Sequence, residues 1–135
     1  MPAVVKTELE RLKPSTIVVV GGDGAISSTT FNTLATYAQK WQTYRAYGSN
    51  RYETAESLAQ GWQTGDVGTV YLASGESFAD ALGGGAAAAG TKGALLLTAK
   101  DTLPPATTRA RTALKPALTV YLGGPTITFG GTTVC

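Results

Sequence analysis

Three valines at 18–20 run into Gly-Gly-Asp-Gly at 21–24, and a glycine-rich turn after an apolar run is a recurrent device for holding a phosphate. Glycines let backbone N–H groups approach an anion, so Gly22, Asp23 and Gly24 would be the residues of a nucleotide-binding enzyme. A second polar group, Ser74, Gly75, Ser77 and Asp80, follows the apolar run 70–73, the position at which open α/β sheets place ligands. Ser74 lacks a base to activate it, because the 135 residues contain no histidine. That composition excludes a Ser/His/Asp triad, a Cys/His pair and a His-ligated zinc site on this chain. The single cysteine, Cys135, is the last residue and receives no catalytic role. No catalytic residue, metal or cofactor is predicted, and the chain is not expected to be an enzyme.

The remaining chemistry lies in the cations. Arg forks and Lys ammoniums bind phosphate and carboxylate, and Arg45, Arg51, Lys92, Lys100, Arg109, Arg111 and Lys115 stand near predicted element ends. Arg109, Arg111 and Lys115 fall on one predicted helix, with Arg111 and Lys115 four apart and therefore expected on one face. These three are the first choice for contact with a polyanion, followed by Arg51, Arg45 and Lys100. A net charge of +2 from scattered basic residues is too weak a footprint for a nucleic-acid binder.

The elements that must position these groups alternate. Apolar runs at 17–20, 70–73, 94–97 and 120–122, and a weaker one at 44–47, read as strands. Helical periodicity links Val5, Leu9 and Leu12, then Phe31, Leu34, Ala35 and Ala38, then Ala55, Leu58, Ala59 and Trp62. A further helix, 79–89, is made almost wholly of Ala and Gly around Leu82, which suits close packing on a sheet. Ser27 and Asn50 are predicted N-caps, with Glu53 completing a capping box after Asn50, while Ser77 is expected to cap the alanine-rich helix and Asp80 to hydrogen-bond beside it. Continuous apolar strands alternating with helices predict an α/β fold, a mainly parallel sheet flanked by helices on both faces. Composition, 43% hydrophobic and 15% charged, fits one globular core.

An internal repeat settles the role of the glycines. Leu-Lys-Pro, a strand and Gly-Gly recur 102 positions apart, so that Lys13 matches Lys115, Val18 matches Val120, Gly21 matches Gly123 and Gly22 matches Gly124. The second copy reads GGPTIT and lacks counterparts of Asp23 and Gly24. Both Gly-Gly pairs are therefore expected to make a tight turn after a strand, with Asp23 satisfying turn N–H groups. The rival is a likeness of VVVGGDG to the phosphate turn of diacylglycerol-kinase-like and NAD-kinase-like enzymes, but no second cluster for phosphoryl transfer accompanies it.

The stretches YGSNRYETAESLAQ (47–60), VYLASGESFADALGGGAAAAGTKGALLLT (70–98), Leu103-Pro104 and VYLGGPTIT (120–128) together resemble the type 2 cell-wall-binding repeat of Gram-positive surface proteins. The resemblance implies a Rossmann-like or Toprim-like repeat unit, with 1–43 the closing portion of one repeat, 44–135 a second and nearly complete one, and both packed as one compact domain. It implies a non-catalytic module that anchors an extracellular, wall-associated protein non-covalently to an anionic wall polymer, teichoic-acid-like or a secondary wall polysaccharide. Family members usually carry three such repeats, so partner chains or further sequence are expected to complete the set, and a homo-oligomer is one way to do so. The charged start shows no secretory signal, and for a secreted parent one is expected upstream or already removed. The alternatives are a structural self-assembly unit or a small nucleotide-binding enzyme using the GGDG turn.

Overall fold

The computed structural model describes residues 1–40 and 42–123, and the chain divides into two compact units, Met1–Gly48 and Ser49–Cys135. By their contacts the two units divide at 48/49. The elements alternate as predicted: α1 (Ala3–Leu12), β1 (Thr16–Val20), α2 (Ser28–Ala35), β2 (Gln42–Ala46), α3 (Arg51–Ala59), β3 (Thr69–Ser74), α4 (Phe78–Thr91), β4 (Ala94–Thr98), α5 (Pro105–Leu114) and β5 (Leu118–Leu122). Among the described residues all strand pairs are parallel, in keeping with the α/β class, and the strands form two sheets: β1-β2 in the first unit and β4-β3-β5 in the second.

In the second unit β3 is central, with Val70 opposite Ala94 on one side and Thr119 on the other. Alternation along this strand sorts its side chains by face. Val70 and Leu72 join Ala94 and Leu96 in a core with Ala59 of α3 and Ala110 and Leu114 of α5. On the other face α4 lies directly on the sheet: a Cβ at Gly84 would collide with Leu122 Cδ1 and approach Leu95 Cδ1 to 3.1 Å. Close packing is thus what the small-residue helix provides. Tyr71, turned to the same face, reaches Thr91 near the end of α4 at 3.1 Å.

Helix ends follow local chemistry. Ser27 Oγ accepts from Thr30 N, and Asn50 Oδ1 accepts from Tyr52 N and Glu53 N. The expected capping box is displaced by one residue, because Glu53 takes the N–H of Ser49 in place of that of Asn50 (2.8 Å). That hydrogen bond holds the Glu53 carboxyl below the usual range. Ser77 occupies the N-cap position of α4 without a side-chain cap bond, contrary to expectation. Helices α1, α4 and α5 all end on a lysine in left-handed conformation, Lys13, Lys92 and Lys115.

Candidate functional site

Two sequence motifs meet at the C-terminal edge of the three-stranded sheet. Arg51, first residue of α3, donates through Nη1 to the carbonyl of Gly75, which follows β3. The Tyr52 ring fills the space beside that glycine: a Cβ at Gly75 would lie 2.6 Å from Tyr52 Cε1. Gly75 N in turn donates to Thr98 O of β4 (2.7 Å), and Glu76 Oε1 accepts from Lys100 N (3.3 Å). Arg-Tyr and Ala-Ser-Gly are therefore two halves of one joint. Arg51, a candidate polyanion contact from the sequence, spends its Nη1 on a backbone carbonyl. Above the joint lies an open depression of about 500 Å³ lined by Arg51, Ser74, Glu76, Ser77 and the largely exposed Phe78. Ser74 Oγ accepts from Glu76 N within its own turn. Asp80 lies in the first turn of α4, where its charge suits the helix dipole, and makes no side-chain hydrogen bond among the described residues. No group of three or more His, Cys, Asp or Glu suited to a metal occurs among the described residues.

The Gly-Gly-Asp-Gly turn is organised by Arg45, whose side chain is only 15% exposed. Its Nη1 donates to Gly21 O and Ile26 O, both at 2.8 Å, its Nη2 lies 3.4 Å from Asp23 Oδ1, and the guanidinium stacks over Phe31 at 4.8 Å. Asp23 also accepts from Ser28 Oγ (2.8 Å), so it serves a guanidinium and a hydroxyl where turn N–H groups were expected. Arg45, read from the sequence as a surface cation, is an inward strut of this turn. Gly21 has φ +120° and Gly123 has φ +132°, so the first glycine of each pair takes the positive-φ position of the tight turn. Gly22 packs beside Tyr47, while Gly124 lies outside the described residues.

A third feature was not visible in the sequence. Trp62, expected on the buried stripe of α3, lies beyond the end of that helix and is 41% exposed. It lines a groove of about 160 Å³ between α3 and α5, with Glu56, Gln60 and Arg109 as its polar groups and Ala59, Ala110, Ala113 and Leu114 as its apolar wall. Arg109 grips Glu56 in bidentate fashion, Nε to Oε1 at 2.8 Å and Nη2 to Oε2 at 2.6 Å, and this partner raises the Arg109 pKa. The charge of Arg109 is thereby matched within the chain.

Helix α5 stops at Leu114, and Lys115 follows it in left-handed conformation (φ +48°) with its N–H donating to Arg111 O (3.0 Å). Among the described residues neither side chain has a hydrogen bond or ion pair, and the same holds for the Lys100 ammonium. Arg111, in the last turn of α5, and Lys115 lie at the edge of the sheet where its strands begin, whereas Lys100 and Arg51 lie where strands end.

Residues 45–135 match the family model described as cell wall binding domain 2 (CWB2). The amidase enhancer of Bacillus subtilis (strain 168) is 33% identical over 97 residues, 72% of this chain and 13% of that protein. Among solved structures, Cwp8 from Clostridium difficile superposes with a TM-score of 0.74 at 20% identity, covering 90% of this chain and 21% of that one. The chain thus spans a small part of the length of these relatives.

Proposed function

The chain belongs to the cell wall binding domain 2 family, and we propose that it is a non-catalytic attachment module, holding an extracellular protein non-covalently to anionic polymers of a Gram-positive wall. The family match over residues 45–135 carries this reading. Residues 1–43 are read as the closing part of one repeat and 44–135 as the next. Of the six cations singled out, Arg45, Arg51 and Arg109 have their guanidiniums engaged by carbonyls or carboxylates, which leaves Arg111, Lys115 and Lys100 to meet a teichoic-acid-like or secondary-wall polyanion. Salt weakens such contacts, because exposed charges are screened beyond about 10 Å at 0.1 M ionic strength.

The GGDG turn supports a nucleotide enzyme poorly, since Asp23 is already engaged by Arg45 (3.4 Å) and Ser28 Oγ (2.8 Å). A self-assembly unit is favoured by one observation, the apolar residues Val4, Val5 and Leu12 exposed on α1. The two readings separate in a co-sedimentation assay of the purified chain with wall sacculi, intact or stripped of anionic polymers, while its mass in solution is recorded. Attachment predicts sedimentation with intact sacculi that stripping removes. Self-association without sedimentation would favour the assembly unit.

A further inference from the structure

The groove between α3 and α5 combines features that an anion site would not have. Its polar wall is a closed ion pair: Arg109 spends two donors on the two oxygens of Glu56, so the net charge presented to a ligand is near zero. A guanidinium has five N–H donors and a carboxylate about four acceptor positions, so the pair keeps donors and acceptors side by side. An anion would gain from Arg109 but sit against Glu56, a carboxylate only 13% exposed. A neutral group carrying adjacent hydroxyls meets no such conflict, because one hydroxyl can accept from Arg109 and its neighbour donate to Glu56.

The groove is also lined by the half-exposed indole of Trp62, an apolar plane with one polar N–H. The segment that carries it is fixed. Trp62 N donates to Ala59 O (3.1 Å), Asp66 Oδ2 accepts from Gln63 N (2.9 Å), and Thr64 Oγ1 donates to Ala113 O of α5 (2.8 Å). A preformed pocket lowers the ordering cost of binding, and apolar walls with a few placed polar groups are the usual make-up of small-ligand sites.

We propose that this groove is a saccharide subsite that takes one uncharged sugar unit, its ring face on Trp62 and its hydroxyls on the Glu56–Arg109 pair, with Gln60 at the rim. The inference rests on the wall-binding reading for the source of the sugar, a neutral unit of a wall glycan. Its role is distinct from that of Arg111, Lys115 and Lys100, which would meet the charged groups of the polymer.

The test is a titration of the full ¹⁵N-labelled chain with glucose, N-acetylglucosamine and glucose 6-phosphate, followed by NMR and run beside the sacculus assay. The Trp62 indole signal, assigned with Trp62→Phe, and the Arg109 Nε–H signal should shift saturably with at least one uncharged sugar, at the millimolar affinity expected of a single unit. Glucose 6-phosphate should bind at least about tenfold more weakly than glucose. Trp62→Ala, with its backbone spectrum otherwise retained, should abolish the shifts. Glu56→Gln should narrow the discrimination against the phosphate. Unmoved Trp62 and Arg109 signals with both uncharged sugars, or tighter binding of glucose 6-phosphate, would overturn the subsite. Continued sedimentation with sacculi in that case would leave the wall reading standing. Sugar-dependent shifts without sedimentation would do the reverse.

Discussion

The chain builds one helix-turn-strand segment twice, and the copies differ in what covers them. Helices α1 and α5 are each ten residues, begin after Pro2 and Pro104 in near-identical conformation (ψ 148° and 146°), and end on Lys13 and Lys115 at φ +46° and +48°. Strands β1 and β5 follow at the same offset and end on glycines at φ +120° and +132°. Yet α5 buries Ala106, Thr107, Ala110 and Leu114, whereas their counterparts in α1, Val4, Val5, Glu8 and Leu12, include no buried residue. In the second unit α3 and β4 cover α5, and Thr107 Oγ1 donates to Leu97 O (2.5 Å). Among the described residues of the first unit nothing of that kind covers α1. Caps and turns are set by the local sequence; burial is set by the partner.

The largest effect should come from cutting the same leucine in both copies. Leu114 is buried (2% exposed), and Leu114→Ala should cost about 2–5 kcal/mol. Leu12 is 54% exposed, and Leu12→Ala should stay within about 0.5 kcal/mol. Urea unfolding measures both, and equal losses would mean that α1 is covered in solution. The turn glycines should behave alike instead. Gly21→Ala and Gly123→Ala each force a side chain into positive-φ backbone and should cost about 1–3 kcal/mol. A loss in only one copy would break the equivalence of the turns.

Smaller still, Lys13→Gly and Lys115→Gly relieve left-handed strain at the two helix ends and should each stabilise by up to about 1 kcal/mol in thermal unfolding, less the entropy that glycine adds to the unfolded chain. The smallest effect separates the caps of α2 and α3. Glu53 is lowered in the folded state by the Ser49 N–H, so its contribution is fully present above the unfolded value, about 4.3, and is lost as pH falls through the folded one. The Ser49 amide shift should titrate over that window and stop doing so in Glu53→Gln. The Thr30 amide, held by the uncharged Ser27 hydroxyl, should stay flat.

This contrast also explains how far the sequence could be read. Strand and helix order, the Asn50 and Ser27 caps and the Gly-Gly turns depend on residues a few positions apart, and all were legible. The division at 48/49 and the two separate sheets depend on which strands find neighbours, which periodicity does not encode. Arg45 looked like a surface cation because its acceptors, Gly21 O and Ile26 O, are backbone atoms about 20 residues away. Arg109 looked free because Glu56 is 53 residues distant. Trp62 continued the 3.6-residue period of α3, but the helix stops at Ala59, and the Gly61 that follows was the one local sign of that end.

The most direct test of wall attachment through unengaged cations is the affinity of the chain for intact sacculi across a range of salt concentrations, alongside Arg111→Gln/Lys115→Gln. Affinity should fall as salt rises, with a shallower fall for the double variant because two charged contacts are gone. Affinity independent of salt, or a double variant that follows the parent curve, would contradict it.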